Sequence, residues 1–525
     1  MGNWQELTDP ASALYGFAPD AVLFCFDARH LTRGMNAALS VAEADRQHDA
    51  AREEVLACWR LAKERFRCAV LHQTAMQLLP AVMGNNEHRL AGSPRHALRA
   101  LNAELRAAAD AEGVDILALD ERAAQEGYAA WHDPALWMRS KQEITPLAAP
   151  VYGDLVVRLL ASRQGLSRKC LVLDLDNTIW GGVVGDDGME GLILGQGNAL
   201  GEGFAAVQSY AKELSRRGVI LAVCSKNDEA NAWEPFDRHP EMILQRSDVA
   251  CFMANWRDKA ANLRDIAADL NIGLDSLVFL DDNPAEREAV RRELPMVAVP
   301  EPPEDPALVP YCLADAGYFE GVALTDEDRG RTREYQSNRA RAELAASSTD
   351  MVGYWRSLEM QMLWRPFDRI GLQRVVQLIN KTNQFNLTTK RYSEDEVLAV
   401  MADPSAFGLQ LRLLDKFGDN GTIAIVIGKM QQDEVFLGTW LMSCRVLGRQ
   451  VEAATLKLVV ENARRMGARR LIGEYRLSSK NGMVKNHYEK LGFTTLSVSE
   501  TGDSKAMLEL HEYEPRDVYM EINEG

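Results

Sequence analysis

The chain has 525 residues, of which 46% are hydrophobic and 26% are charged, and its formal net charge at pH 7 is −17. A chain of this length exceeds a single hydrophobic core, so we expect about three domains. Nucleic acids and anionic membranes are polyanions, so the acidic excess argues against a general affinity for either.

The sequence carries no recognisable signal for export or membrane insertion. No run of about 18 apolar residues predicts a spanning helix, and "MGNWQELTDP" lacks the basic and apolar regions of a signal peptide. The eight cysteines are scattered and form no Cys-x-x-Cys pair, which is typical of reduced thiols. We therefore expect a cytoplasmic protein with no membrane or nucleic-acid partner.

Residues 1–160 are predicted to form an α/β domain. The apolar run at 21–26 indicates a buried strand, and 96–113 repeats apolar residues at helical spacing until it stops at Gly113. The run "VDILALD" at 114–120 indicates a second strand.

Residues 165–305 alternate short apolar runs with amphipathic stretches such as 203–218. We predict strands from "CLVLD", "VILAVCS", "SLVFLDD" and "MVAV". This alternation favours a parallel sheet with helices on both faces, and ligands then bind beyond the carboxyl ends of the strands.

Polar groups follow three of these predicted strands. The first ends in Asp174 and Asp176, the second in 224–227 (Cys-Ser-Lys-Asn), and the third in Asp281 and Asp282. Buried carboxylates cost free energy unless a cation or hydrogen bonds compensate, and Mg²⁺ prefers oxygen ligands. One Asp can attack phosphorus, and another on the same face of the chain can protonate the leaving oxygen. The alternative is a set of capping and surface residues.

The segment "DLDNT" resembles the DxDxT signature of the haloacid dehalogenase (HAD) superfamily, and Ser225, Lys259 and "LDD" match its other three motifs in order. The resemblance implies that Asp174 is the phosphoryl-accepting nucleophile and Asp176 the general acid/base. It implies that Mg²⁺ is held by Asp174, the backbone carbonyl of Asp176, Asp281 and Asp282. The implied substrate-binding residues are Thr178, Ser225, Lys226, Asn227 and Lys259.

A longer segment of the sequence, residues 169–421, resembles FkbH-like proteins. The resemblance is carried by stretches such as "LDLDNTIWGGVVGDDG" and "KTNQFNLTTKRY". Members of that family take 1,3-bisphosphoglycerate, load its glyceryl group onto the phosphopantetheine thiol of an acyl carrier protein and remove phosphate, in polyketide-type pathways. We hypothesise that Cys224 carries a glyceryl thioester, because a thiolate is a good acyl acceptor. The alternative is a buried strand cysteine, since alternation places Cys224 opposite Ser225 unless the chain turns.

HAD caps are inserted after the first or the second motif of the superfamily. Only 34 residues separate Ser225 from Lys259, and residues 180–203 form a Gly-rich flap. We therefore expect a capless domain, whose open crevice would admit a pantetheine arm.

The segments before and after this domain carry weaker resemblances. Residues 1–160 are similar to SGNH-hydrolase-like domains but lack a Gly-Asp-Ser motif, and Asp133 has no His three residues later. We therefore predict a non-catalytic N-terminal domain. Residues 306–350 are predicted to form a Pro-rich linker and a charged helix at 326–345.

Residues 351–525 resemble the GNAT acyltransferase fold. Arg445 and Gly448 lie at a turn that would hold pantetheine, and Tyr488 would face the thioester, although Gln450 stands where Gly or Ala is expected. A module that positions pantetheine, an independent acetyltransferase and a vestigial domain all stay open. The segment 382–392 either binds substrate or lines a domain interface.

Three functions remain possible from the sequence. The leading one is a D-glyceryl transferase and phosphatase that uses Mg²⁺ and an acyl carrier protein. The second is a Mg²⁺-dependent HAD phosphatase on a small phosphomonoester or phosphoprotein, and the third is a non-catalytic scaffold. The expected fold is α/β: a capless HAD-type Rossmannoid sheet between an SGNH-like and a GNAT-like domain.

Overall fold

The computed structural model describes residues 2–324, 337, 341, 344–345, 348, 350–382, 384–443, 446–478 and 480–525. The chain divides into two compact units, Met1–Leu160 and Ala161–Gly525. The charged helix predicted for 326–345 lies almost entirely outside the described residues, and Arg445 also lies outside them. Among the helices within these ranges, none has the length and apolar character needed to cross a membrane. The domain boundaries at 165–305, 306–350 and 351–525 stay predictions.

The first unit is built on a three-stranded parallel sheet in the order β1-β2-β3. Its strands are β1 (Ala21–Phe24), β2 (Ala69–Gln73) and β3 (Asp115–Leu117). Its helices are α1 (Gly2–Thr8), α2 (Ala13–Phe17), α3 (Ala28–Leu31), α4 (Val41–Phe66), α5 (Pro94–Glu112), α6 (Leu119–Glu126), α7 (Tyr128–Trp131), α8 (Pro134–Ser140) and α9 (Ala149–Arg163).

Local chemistry in the first unit follows the predicted pattern. Helix α5 begins after Ser93, whose hydroxyl accepts a hydrogen bond from the His96 backbone N–H, and ends at Gly113 with φ of 57°. A serine cap and a left-handed glycine satisfy the backbone groups that helix ends leave open. The strand and helix predicted here are confirmed, while the SGNH likeness stays a prediction.

A four-stranded parallel sheet in the order β6-β5-β4-β7 forms the centre of residues 165–305. Its strands are β4 (Cys170–Leu173), β5 (Ile220–Ser225), β6 (Val249–Ala254) and β7 (Leu277–Leu280). Leu171 and Leu173 enter one apolar layer, and Cys170 and Val172 enter the other. Because side chains alternate along a strand, this sheet is buried on both faces, as the alternation of elements predicts.

Helices connect the strands of this sheet or follow its last strand. They are α10 (Val184–Gly191), α11 (Ala199–Arg216), α12 (Glu229–Arg238), α13 (Lys259–Asp269), α14 (Pro284–Glu293) and α15 (Val309–Asp315). Short 3₁₀ turns lie at Gly84–Arg89, Arg246–Asp248, Leu274–Ser276, Pro306–Leu308 and Gly482–Val484. The segment between Ser225 and Lys259 holds α12 and β6. That the domain lacks a cap stays a prediction.

Two strand predictions differ from the structure. The run "MVAV" is predicted as a strand but forms only one isolated bridge, in which Ala298 pairs with Val278 of β7. The run at Val249–Ala254, not predicted as a strand, pairs in parallel with β5 and forms the edge of the sheet.

Residues 351–525 form a mixed eight-stranded sheet in the order β13-β14-β12-β11-β10-β9-β8-β15. Its strands are β8 (Met360–Pro366), β9 (Ala406–Asp415), β10 (Gly418–Gln431), β11 (Glu434–Met442), β12 (Arg470–Tyr475), β13 (Thr494–Val498), β14 (Ser504–Glu509) and β15 (Met520–Glu524). Its helices are α16 (Met351–Ser357), α17 (Leu372–Lys381), α18 (Glu394–Ala402), α19 (Val451–Arg465) and α20 (His487–Lys490). The predicted strand at 421–428 and helix at 452–467 are confirmed.

The parallel strands β11 and β12 pair only over their first four residues and then separate. Residues 385–388, which we call the inserted segment, lie between the separated ends. Leu387 N–H donates to Trp440 O (3.1 Å), and Arg476 N–H donates to Leu387 O (2.8 Å). The inserted segment therefore supplies the hydrogen bonds that the separated strands would otherwise lack. The two roles left open for 382–392, substrate binding and the lining of a domain interface, both stay predictions.

Candidate active site

The chain reverses sharply where β4 ends. Asp174 N–H donates to Leu280 O (2.9 Å), which carries the β4–β7 pairing one residue beyond β4. Asn177 then adopts a left-handed φ of 55°, and its Oδ1 accepts from Gly182 N–H (2.9 Å). Asn tolerates this backbone region better than most residues because its side chain can bond locally. The turn places Asp174 at the carboxyl edge of the sheet.

Three carboxylates meet at this edge. Asp174, Asp281 and Asp282 each offer an oxygen atom, and these atoms lie within 4.8 Å of one another. Oxygen ligands bind Mg²⁺ at about 2.1 Å, so two ligands of one ion stand roughly 3 to 4 Å apart. The observed spacing suits a single divalent cation.

The charge balance of this cluster also favours a cation. Asp174 Oδ1 is buried and has no hydrogen-bond partner among the described residues. Burial, and then repulsion by Asp174, raises the pKa of Asp281 to about 6 and raises that of Asp282 as well. Buried acceptors without partners are rare, so Asp174 Oδ1 is open to a bound group, and a divalent cation at this edge would relieve the repulsion among the three carboxylates.

Lys259, the first residue of α13, supplies the positive charge on the other side of the cluster. Its Nζ lies 2.9 Å from Asp174 Oδ2 and also contacts Asp281 Oδ2, and its side chain is 4% exposed. Burial alone would lower the pKa of Lys259, but Asp174 and Asp281 outweigh it and hold this pKa above its usual range. Lys259 therefore stays charged and compensates part of the negative charge.

The Asp176 carboxylate is held in a different environment. It accepts hydrogen bonds from Trp180 Nε1–H (2.9 Å), Val184 N–H (3.1 Å) and Asn227 Nδ2–H (3.1 Å). Burial raises the pKa of Asp176 and outweighs the lowering effect of these donors. Asp176 is thus fixed beside Asp174 and keeps a proton to higher pH than an exposed aspartate, which suits general acid/base chemistry.

The remaining predicted substrate residues have different surroundings. The Thr178 hydroxyl accepts from Asp282 N–H (3.2 Å) and donates to Asp282 Oδ1 (3.4 Å), so it positions this carboxylate. Ser225 is buried at the end of β5. Lys226 Nζ lies 2.5 Å from Glu286 Oε1 and is directed to α14.

Cys224, next to last in β5, lies in the apolar layer that also holds Cys170 and Val172. It is fully buried among residues such as Val172 and Phe279, and its Sγ is 3.9 Å from the backbone oxygen of Lys259. Burial raises the pKa of its thiol well above the usual range. The placement agrees with strand alternation, and a glyceryl thioester on Cys224 stays a prediction.

The flap at 180–203 is packed against the sheet. Gly181 and Ile193 exchange backbone hydrogen bonds of 3.0 and 2.9 Å, and Val184 joins the apolar layer that holds Trp180. The indole of Trp180 and the N–H of Val184 both reach Asp176, so the flap contributes directly to the site. The sequence analysis did not predict these two contacts. A Trp four residues after Asp176 could have indicated one of them, because an indole N–H is a hydrogen-bond donor.

Two of the three predicted pantetheine residues, Gly448 and Tyr488, lie within the described part of the chain. Gly448 lies in a turn with φ of 76°, and its carbonyl accepts from Trp355 Nε1–H (3.0 Å). Tyr488 is buried, and its ring packs on Gly473, where an added Cβ would lie 2.3 Å from the ring. The third residue, Arg445, lies outside the described residues. The pantetheine role of all three stays a prediction.

Comparison with known proteins gives one informative likeness. The N-terminal part of protein BF1531 from Bacteroides fragilis, a crystal structure containing a phosphatase domain complexed with Mg, is 36% identical, with a TM-score of 0.57. The match covers 61% of this chain and 84% of that one. No protein-family model matches the chain, and no curated protein matches it.

Two acetyltransferase structures are similar to part of the chain. The GNAT domain of S. lividans PAT is 21% identical over 28% of this chain and 89% of its own, with a TM-score of 0.23. YncA from Salmonella typhimurium, a putative acetyltransferase, is 15% identical over 30% of this chain and 98% of its own, with a TM-score of 0.23. At these TM-scores the GNAT likeness of residues 351–525 stays a prediction.

Proposed function

This chain belongs to the family of Bacteroides fragilis BF1531, whose N-terminal part contains a phosphatase domain, and on that premise we propose a Mg²⁺-dependent phosphatase of the HAD type. The observation that carries the proposal is the carboxylate cluster beside Lys259, in which Asp174 and Asp281 are buried and Asp282 is exposed. An enzyme of this kind removes a phosphoryl group from an oxygen by way of an aspartate.

Asp174 is the nucleophile in this proposal. Its unpartnered Oδ1 attacks phosphorus, the bond to the leaving oxygen breaks, and a phosphoaspartate results. Asp174, Asp281 and Asp282 would hold Mg²⁺, which when bound neutralises charge on the phosphoryl oxygens. Lys259 keeps Asp174 oriented through its Oδ2 and leaves Oδ1 for the reaction.

Asp176 moves the protons. It donates a proton to the leaving oxygen and then accepts one from the water that hydrolyses the phosphoaspartate. The donors from Trp180, Val184 and Asn227 hold its carboxylate in one position through both steps. Trp180 and Val184 belong to the flap, so the packed flap holds the acid in place.

The finer proposal is glyceryl transfer. The enzyme would take 1,3-bisphosphoglycerate and transfer its acyl group to the phosphopantetheine thiol of an acyl carrier protein. The carbon–sulfur bond forms as the bond between the acyl carbon and the phosphate oxygen breaks, and the thiol proton goes to the departing inorganic phosphate. The Asp174 site would remove the remaining phosphate ester. The resemblance to FkbH-like proteins supports this substrate and this partner.

Two routes for the acyl group differ at Cys224. In the first, the Cys224 thiol carries the glyceryl group before it passes to the carrier. In the second, the carrier thiol attacks the acyl phosphate directly. The burial of Cys224 and the raised pKa of its thiol support the direct route, because a thiolate is the nucleophilic form.

Intact-protein mass spectrometry of the carrier tests the proposal. A phosphopantetheinylated carrier is incubated with enzyme, Mg²⁺ and 1,3-bisphosphoglycerate generated in situ, and its mass should rise by one glyceryl group. Asp174→Asn should leave a phosphate on any adduct, while Asp265→Asn, a surface carboxylate paired with Arg257, should behave as wild type. If the Cys224→Ala variant loads the carrier at the wild-type rate, the route through a Cys224 thioester is wrong.

The second candidate is phosphatase activity without acyl transfer. It is favoured by the same carboxylate cluster and needs neither carrier nor thiol. Release of phosphate from simple phosphomonoesters, lost in Asp174→Asn and accompanied by no carrier adduct, would establish it and overturn glyceryl transfer. If no phosphate is released from any of these substrates with Mg²⁺ present, the HAD assignment itself is wrong.

A further inference from the structure

A cavity of about 490 Å³ lies at the amino edge of the four-stranded sheet, away from the carboxylate cluster. One wall is made by the residues just before β4, β5 and β7, among them Lys169, Val219 and Ser276. The other wall comes from the C-terminal sheet and includes Arg374 of α17 and Phe385 of the inserted segment. We call this space the interface cavity.

The interface cavity is separate from the phosphatase site. Lys169 and Asp174 stand at opposite ends of β4, five residues apart, which at about 3.3 Å per residue is roughly 17 Å. Backbone bonds fix the cavity wall: Lys169 N–H donates to Ser276 O (2.8 Å), and Ile220 N–H donates to Lys169 O (2.9 Å). A ligand in the cavity would therefore not touch the reacting aspartate.

Positive charge dominates the lining of the cavity. The chain as a whole carries −17, yet the described lining contains five cationic side chains against the two carboxylates of Asp275 and Glu320. The five are Arg168, Lys169, Arg217, Arg374 and Lys480. Such a reversal of sign inside a concave, partly apolar space concentrates anions, because low-dielectric walls focus the field.

The cationic side chains come from both walls. Lys480 Nζ lies 2.6 Å from Asp275 Oδ2, an ion pair that joins the C-terminal sheet to the wall before β7. Arg217 donates to Phe319 O, and Arg374 donates to Gln377 Oε1. These bonds hold the long side chains in place at the cavity, so less entropy is lost when an anion binds.

Apolar groups complete the lining. They include Leu166, Val219, Phe319, Leu378, Phe385 and Met442. Sites for small organic ligands typically occupy about 300 to 1,000 Å³ at domain interfaces, with mostly apolar walls and a few polar groups that fix orientation. The interface cavity has this size and lies between two sheets, and its walls combine apolar groups with charged ones.

We propose that the interface cavity is a second ligand site, which binds a small organic anion with an apolar body. The cationic rim takes the phosphate, sulfonate or carboxylate of the ligand, and the apolar wall takes its body. Because both walls contribute, such a ligand would also tie the C-terminal sheet to the phosphatase sheet. This inference does not depend on the proposed reaction.

Anilinonaphthalene sulfonate is a suitable probe, because it joins one sulfonate to an aromatic body and becomes fluorescent in apolar sites. The intact chain should bind one dye molecule saturably, and added salt should weaken binding. Arg374→Gln should weaken it about tenfold or more, since a charge-assisted contact is lost. Arg369→Gln is the matched control. Arg369 lies just before α17, five residues from Arg374 in the sequence, and it is not among the residues that line the cavity.

Two further variants separate the outcomes. Asp174→Asn should bind the dye as wild type does, and Lys480→Gln should weaken binding as Arg374→Gln does. If Arg374→Gln lowers the melting temperature, its dye affinity is set aside, and the affinity of Lys480→Gln alone is compared with that of wild type. Three results would each overturn the proposal: no saturable binding, equal affinity in both cavity variants and wild type, or loss of binding in Asp174→Asn.

Discussion

Replacement of Lys259 by Met tests the electrostatics of the carboxylate edge. The variant keeps the length of the side chain and removes the ammonium group that contacts Asp174 and Asp281. Both carboxylates are buried, so the loss leaves uncompensated negative charge in a poorly hydrated place. Removing one partner of a buried ion pair costs about 3 to 5 kcal/mol, and we expect a loss of this size without Mg²⁺.

The assay is urea unfolding followed by tryptophan fluorescence, with chelator and then with saturating Mg²⁺. Trp180, buried in the apolar layer that holds Leu171 and Leu173, is one of the ten tryptophans that contribute to the signal. A divalent cation replaces part of the missing charge, so Mg²⁺ should stabilise Lys259→Met more than it stabilises wild type, through its tighter binding to the folded state. The difference between variant and wild type should therefore shrink in Mg²⁺.

Lys226→Met is the matched control. Lys226 also pairs with a carboxylate, that of Glu286, but its side chain is 39% exposed. Exposed pairs contribute about 0 to 1 kcal/mol, so this variant should lose little, with or without Mg²⁺. If Lys259→Met in chelator loses no more stability than Lys226→Met, Lys259 is not the counter-charge of the cluster and the reasoning fails.

Three further predictions concern packing, burial and hydrogen bonds. Gly181→Ala should lower stability by roughly 1 to 3 kcal/mol in calorimetry, because its Cβ would lie 2.9 Å from Phe204, whereas the open, helical Gly153→Ala should be neutral or stabilising. Burial, then a neighbouring carboxylate, raises the pKa of Glu143 to about 7. The folded state therefore retains a proton that the unfolded chain releases, and stability of the first unit should fall as pH rises from about 4.5 to 7, by roughly 2 to 3 kcal/mol. Hydrogen exchange of the core amides in the first unit should show this loss of stability with pH in wild type. In Glu143→Gln the same stability should not change with pH over this range. Asn481→Ala should cost roughly 2 to 4 kcal/mol in thermal unfolding, because the buried amide makes four hydrogen bonds around the inserted segment.

The sequence predicts the four-stranded sheet of residues 165–305 well, because a strand buried on both faces is a run of consecutive apolar residues. Strands β4, β5 and β7 appear as short apolar runs, and their polar ends predict which residues meet at the carboxyl edge. The structure brings Asp174, Asp281 and Asp282 within reach of one ion. Strand β6 was missed although Val249–Ala254 is a short apolar run, because periodicity alone does not separate such a run from a helix segment.

The parts that sequence could not predict depend on contacts between distant segments. Nothing local to Asn227 indicates that its amide would bond Asp176, which is placed by a different strand. The pairing of the inserted segment with both β11 and β12 is likewise decided by the separation of those strands. Alternation along β5 did predict that Cys224 would face away from Ser225.

The inserted segment has a consequence for how the C-terminal sheet assembles. It is synthesised before both strands that it joins, and its partners Trp440 and Arg476 lie far along the chain. Pairings of such large sequence separation form slowly, because loop closure costs entropy before any contact repays it. Until β12 docks, one row of backbone groups on this segment stays open to other chains. The last third of the protein should therefore fold in a single late step, and nascent chains that end before β12 would be the ones prone to aggregate.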